Sequence, residues 1–310
     1  MSHDLGVSLC GVSLPGPLVL ASGIWGSAAA TLVRAARAGA GAVTSKSCSL
    51  EPRVGHPNPT VQPWDHGLIN AVGLTNPGAA EERLVLQEAR AGLHPLGAAL
   101  IASVFGGDAA EYAAAVELLA PAQPDLIELN VSCPNVHHEF GQPFAYDPRA
   151  TAEVTRAVRG VWSGPLLVKL SPNTPELVAV GDAAMTAGAD GLTAVNTLGP
   201  GMLIDLAARR PVLSNLVGGV SGPAMHPIAL RCVYELWAAL KAPIVGTGGV
   251  SSGRDALAMI MAGATAVGIG SALQRDGEAV FRLVMDEMRA LMNELGIQTL
   301  DEVRGAAHDG

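Results

Sequence analysis

The chain has 310 residues, 49% hydrophobic and only 4% aromatic, with a net charge of −9 and no basic run. That length holds two domains or one large α/β barrel, with enough apolar material for a sizeable core. The acidic balance argues against a nucleic-acid partner, because neutralising phosphates takes clustered Lys and Arg.

Residues 5–33 carry no charge. A spanning helix wants about 20 mostly apolar residues, and Pro15, Pro17 and several glycines break this stretch. No cationic region precedes it, as a secretory signal requires. Its start, VSLCGVSLPG, alternates like a hairpin and is expected to cap the bottom of a barrel. Eight short apolar runs then follow in order: PLVLAS (17–22), GAVTSKS (41–47), AALIASV (98–104), DLIELNV (125–131), PLLVKL (165–170), GLTAVN (191–196), PIVGTGG (243–249) and TAVGIGS (265–271). Runs of this kind suit strands buried on both faces, as in a parallel sheet. Amphipathic, Ala-rich segments lie between most of them, at 27–38, 79–92, 108–119, 148–160, 175–187, 226–240 and 253–262. Eight right-handed strand–helix units predict a (β/α)8 TIM barrel, a single domain over residues 1–310. An open doubly wound sheet is the alternative, but no G-x-G-x-x-G follows the first strand. A second charge-free stretch, 256–274, contains Gly263, Gly268 and Gly270 and reads as a buried helix, a turn and a buried strand, so no membrane insertion is expected.

Two connections exceed a turn, 48–78 and 197–225. Both leave strand C-termini, where barrel active sites are built. The four cysteines, Cys10, Cys48, Cys133 and Cys232, show no C-x-x-C spacing. No metal or cluster site is expected in this chain, and scattered single thiols suit a reducing, cytoplasmic location.

Three residue types mark the strand ends. Only three lysines occur, and two of them, Lys46 and Lys169, sit in apolar strand runs. A buried ammonium costs several kcal/mol, of order ~3 or more, unless a counter-charge meets it. Either an internal carboxylate such as Glu128 or an anionic ligand at the mouth serves. Asn70, Asn130, Asn135 and Asn196 lie at or beyond strand ends, or in the long loop, each presenting an acceptor and a donor. Gly248 and Gly249 follow the seventh strand, and Gly270 with Ser271 the eighth, where barrels build phosphate sites. The turn GGVSGPA, 218–224, adds Gly222. A phosphorylated ring cofactor such as flavin mononucleotide satisfies all three signals. A phosphorylated substrate satisfies the glycines alone. Cys133 follows the fourth strand with Pro134 behind it, which breaks the ladder there. A free cysteine is most often a small buried hydrophobe, yet a thiol with a pKa of about 8.5 is also a usable base.

The set ELNVSCPNV, INAVGLTNPG, LVKLSPN, SGPA, GTGGV and AVGIGSAL, from about residue 5 to 295, resembles the class 1 dihydroorotate dehydrogenases. The segments VTSKSCSLEPRVGHPNP and NTLGPGMLIDLAARRPVLSN are most similar to the catalytic subunit of the NAD-linked subclass, 1B. The resemblance implies that FMN crosses the barrel mouth with dihydroorotate stacked on it. Cys133 would take the C5 proton while hydride leaves C6 for the flavin. Lys46 and Asn70, with the backbone of Ala71, Val72, Gly73 and Leu74, would hold the substrate carboxylate and ring. Asn130, Asn135, Asn196 and Thr197 would read the pyrimidine edge. Ser22, Lys46, Ser47, Ser103, Asn130, Lys169, Val195, Gly222, Gly248, Gly249, Gly270 and Ser271 would hold FMN. A homodimer core is implied, with a separate subunit carrying FAD and a [2Fe–2S] cluster to pass electrons to NAD.

Two departures from the family stand out: Ser103, where asparagine is usual, and HHEFGQPFAYDP after the cysteine, where relatives are more often Gly-rich. His137 and His138 in that segment are expected to be solvated. The rival readings are a fumarate-dependent class 1A enzyme, a dihydropyrimidine dehydrogenase-like enzyme, and a non-catalytic flavin-binding barrel.

Overall fold

A computed structural model describes residues 4–132 and 144–309. Each of the eight apolar runs forms a strand. In chain order the barrel strands are β3 (Leu18–Leu20), β4 (Ala42–Thr44), β7 (Ala99–Val104), β8 (Leu126–Asn130), β9 (Leu166–Lys169), β10 (Gly191–Ala194), β15 (Ile244–Thr247) and β16 (Ala266–Ile269). They close in sequence order, all parallel, with β16 pairing back to β3. Helices follow the strands: α1 (Ala29–Arg37), α2 (Ala79–Leu93), α3 (Ala109–Leu119), α4 (Pro148–Val161), α5 (Leu177–Thr186), α6 (His226–Leu240) and α7 (Gly253–Met261). The short α8 (Ala272–Asp276) and long α9 (Ala279–Leu295) complete the ring. Local chemistry starts several of them. Asp108 accepts from the Glu111 N–H, and Ser252 from the Asp255 N–H, each satisfying an orphan donor of the first turn. Asp147 precedes Pro148, whose missing N–H costs nothing at a first helical position.

Strand alternation sorts the side chains. Leu126, Leu167, Ala99, Ile101, Val245 and Ala266 form one apolar cluster at the lower interior. Leu9 and Leu14 join it from the hairpin of β1 (Val7–Leu9) and β2 (Val12–Leu14), so the expected cap is there. Neighbours of opposite parity, Ile127, Leu129, Leu166 and Val168, pack in the larger cluster beneath the helices.

The two long connections are one object. The first contains β5 (Val61–Trp64) and β6 (Gly67–Asn70), the second β11 (Leu198–Gly201) and β14 (Gly218–Ser221). They join as a four-stranded antiparallel sheet, with Asn70 opposite Gly219 and Leu68 opposite Ser221. A separate ribbon, β12 (Ile204–Asp205) and β13 (Arg210–Pro211), lies between β11 and β14 in the chain. Among the described residues, no helix is long and apolar enough to cross a membrane.

Candidate active site

A cavity of about 1160 Å³, counting the space at its open mouth, lies at the C-terminal ends of the barrel strands. Of the residues proposed from sequence, its wall contains Ser22, Lys46, Ser47, Asn70, Val72, Gly73, Leu74, Asn130, Lys169, Val195, Asn196, Thr197, Gly248, Gly249, Gly270 and Ser271. Cys133 and Asn135 lie outside the described residues, as do His137 and His138.

The amides form a linked group. Asn130, at the end of β8, donates to the Ser47 hydroxyl at 3.0 Å. Asn196 donates to the Ser132 hydroxyl at 3.0 Å and to Asn130 Oδ1 at 3.3 Å. Its own Oδ1 accepts from the Thr197 N–H at 2.8 Å. Asn70 donates to the Gly219 carbonyl at 3.3 Å, across the sheet that unites the two long connections. Each amide is therefore fixed by a neighbour while remaining on the cavity wall. Such a wall can satisfy a flat ring of alternating N–H and C=O groups, and it penalises ligands lacking them.

Beneath the amides runs a polar chain. Ser22 donates to the Ser45 carbonyl at 2.8 Å and meets Ser47 Oγ at 3.1 Å. Ser47 meets Ser103 at 2.8 Å, and Ser103 donates to Glu128 at 3.1 Å. Thr193 donates to the other oxygen of Glu128 at 2.9 Å. Lys169 Nζ stands 3.9 Å from Glu128, so the internal counter-charge that the lysine count raised exists for Lys169. Lys169 also lines the cavity. Ser103 departs from the sequence expectation. The register pairs it with Glu128 on β8, one interior layer below Asn130, so it supports Ser47 instead of lining the cavity. Ala71 is fully buried behind the wall, its carbonyl facing His56 Nδ1 at 3.1 Å. Gly222 also stands off the wall, its carbonyl pressed against Gly249.

The glycine turns divide by role. At Gly249, φ is +69° and a Cβ would lie 2.6 Å from the Gly222 carbonyl, so the turn itself demands glycine. At Gly270, φ is ordinary and a Cβ would meet only Ala21 Cβ, at 3.7 Å. Among the described residues, nothing needs that position small. The backbone there is open to close approach from the cavity, and the N–H groups after β16 suit a phosphate. These residues therefore fit FMN. The sequence reading missed Ile24, Val61, Leu68, Ser221, Met225 and Thr247 on the wall. Val61 and Leu68 reach it through the β5–β6 hairpin, which carries no strong strand pattern. Three had a local signal: Ser221 opens the SGPA turn, Met225 follows it, and Thr247 lies within GTGGV.

The remaining thiols are poor bases. Burial pushes Cys10 up to about 12, with Asp190 adding to the rise. Burial lifts Cys232 to about 11, and Cys48, buried beside Glu82, higher still.

The family model for dihydroorotate dehydrogenase matches residues 4–292. The chain is 43% identical to the catalytic subunit of dihydroorotate dehydrogenase B (NAD(+)) from Methanothermobacter thermautotrophicus, over 100% of both chains. It is 43% identical to the protein of that name from Methanosarcina mazei, over 97% of this chain and 95% of the relative. The Pyrococcus abyssi protein of the same name is 41% identical, over 98% and 99%. With the barrel, the amide wall and the glycine cradle in place, the chain belongs to the dihydroorotate dehydrogenase family.

Proposed function

We propose that this chain is the catalytic subunit of an NAD-linked dihydroorotate dehydrogenase, oxidising dihydroorotate to orotate in pyrimidine biosynthesis. The observation that carries the reading is the convergence of Asn70, Asn130, Asn196 and Lys46 on one cavity that also contains the Gly270 cradle. Bound FMN supplies the hydride acceptor for C6 of the substrate. Ser22, Ser47, Lys169 and the turns at Gly248–Gly249 and Gly270–Ser271 hold that cofactor. Lys46 meets the substrate carboxylate, and the asparagines read the ring edges. Cys133, as thiolate, takes the C5 proton, so one C–H bond gives up a proton and its neighbour a hydride, leaving the ring double bond. The visible spectrum tests this. Purified protein should be yellow and should bleach anaerobically on adding dihydroorotate; a colourless protein, or one bleached equally by dihydrouracil, overturns it.

Electron delivery to NAD needs a second chain in this proposal, one carrying FAD and a [2Fe–2S] cluster, around a homodimer of this one. The rim supports such docking. Val54, Val61, Trp64, Met202, Ile204, Leu206 and Leu216 are exposed large hydrophobics, and all belong to the two long connections. Half of the exposed large hydrophobics among the described residues thus fall on these two connections, and apolar exposure on loops can mark protein contacts. Fast fumarate reduction by the isolated chain would replace the NAD-linked assignment with the fumarate-linked one.

A further inference from the structure

Four successive carbonyls, those of Ala71, Val72, Gly73 and Leu74, each accept a hydrogen bond from the protein. The Ala71 carbonyl faces His56 Nδ1 at 3.1 Å, and the Val72 carbonyl accepts from the His56 N–H at 3.0 Å. Arg53 Nε donates to the Gly73 carbonyl at 3.1 Å, and Asn76 Nδ2 to the Leu74 carbonyl at 2.9 Å. A carbonyl only accepts, so His56 carries a proton on Nδ1. Backbone bonds in both directions between Arg53 and Asn76, each at 2.9 Å, tie the two segments together. The fit is close. A Cβ on Gly73 would lie 2.6 Å from the His56 backbone nitrogen and 2.8 Å from its ring, and one on Gly55 would lie 2.5 Å from the Val72 carbonyl. Gly73 and Leu74 are both left-handed, at φ +75° and +57°, a costly conformation for leucine. Among the described residues, no protein acceptor meets the N–H groups of Val72, Gly73 or Leu74, and these three residues line the cavity.

In a trans peptide the C=O and N–H point in opposite directions. Holding the carbonyls of Ala71, Val72 and Gly73 against the 53–56 segment therefore turns the N–H groups of Val72, Gly73 and Leu74 the other way. Successive N–H groups aimed to one side form a concavity that suits an anion. We infer that His56 is a positioning residue for the carboxylate end of the substrate: its ring and its own N–H hold two of these peptides so that their N–H groups face a bound carboxylate. The inference rests on the reading of Lys46 and the backbone of 71–74 as the carboxylate subsite. His56 is not on the cavity wall, so it acts through the peptides it holds. Without its ring the buried Ala71 carbonyl loses its donor. That peptide is then free to turn towards another donor, carrying the Val72 N–H out of line. Arg53 has a further interaction of its own, so His56 is the cleaner probe.

Anaerobic bleaching of the FMN-loaded protein by dihydroorotate separates binding from chemistry, through the substrate concentration for half-maximal rate and the limiting rate. His56→Leu should raise the half-maximal concentration by about 10-fold, the order expected when a buried carbonyl loses its donor. Its limiting rate should stay within about threefold of the wild type, because the carboxylate lies off the reacting carbons and is held alike before and during reaction. His56→Asn keeps a donor at the same distance along the side chain and should restore the wild-type concentration. His56→Ala supplies the same comparison if the leucine variant does not fold. Equal half-maximal concentrations in wild type and His56→Leu, an asparagine variant as weak as the leucine one, or a loss confined to the limiting rate overturns the inference. A wild type whose flavin dihydroorotate does not bleach overturns the site reading, and the inference falls with it.

Discussion

Lys169 Nζ and the Glu128 carboxylate stand 3.9 Å apart inside the barrel, with side chains 7% and 4% exposed. Glu128 is held from two further strands, by Ser103 on β7 and Thr193 on β10. The pair thus joins the wall of the cavity to the layer that supports it. Removing one member of a buried pair strands the other charge, which costs about 3–5 kcal/mol. Glu128→Ala should lower unfolding stability by that order in urea titration. Glu128→Leu combined with Lys169→Met should recover most of the stability while losing FMN, because Lys169 lines the cavity.

Gly270→Ala separates the cofactor site from the fold. The added methyl meets one protein atom at ordinary contact distance, so apoprotein stability should change by less than about 0.5 kcal/mol. Flavin content after purification should fall at least severalfold. Unchanged flavin absorbance would remove Gly270 from the cradle.

Cys133→Ser should retain FMN and lose most turnover, by about 100-fold or more, because a serine hydroxyl is a far weaker base. In the wild type, turnover should rise with pH towards about 8.5 as the thiol deprotonates. A variant with full activity would exclude Cys133 as the base.

Asn196→Ala removes a donor to both Ser132 and Asn130 from the cavity wall. Orotate affinity should weaken by about 10- to 100-fold, the range for an unsatisfied buried polar group. Flavin content should stay near that of the wild type, since the turns that cradle the phosphate are elsewhere.

Glu82 also predicts a stability profile. Its folded value is about 7 against an ordinary 4.5, with burial the main cause. An acid with a raised folded value stabilises below its unfolded value and loses that contribution as pH rises through the folded one. Glu82→Gln should therefore gain on the wild type between pH 4.5 and 7, by up to about 3 kcal/mol. Parallel unfolding curves for the two proteins across that window would contradict it.

The eight strands were legible because both faces of each are buried, so their runs stand out against Ala-rich helices. Helix α9 was equally legible and is absent from the segments named above. Its buried Val280, Val284, Met288 and Met292 recur every four residues. The rim sheet was not legible. Its defining pair, Asn70 with Gly219, is separated by 149 residues, and its strands contain Gly and Pro in place of alternation. Ser103 shows what strand register adds. Its parity points inward like that of Asn130, but only pairing with Glu128 reveals that it sits one layer deeper. Glu82 gave no local signal at all, since two adjacent glutamates in a helix's first turn read as a solvated end.

The β1–β2 hairpin, through Leu9 and Leu14, stoppers the barrel from below. Traffic is then one-way in and one-way out through the rim, like items in a narrow jar. Whatever rests deepest must be loaded first and can leave only after the layer above it has gone. A molecule seated on the Gly249 and Gly270 turns would stay resident through many cycles, while the smaller one above it is exchanged each time.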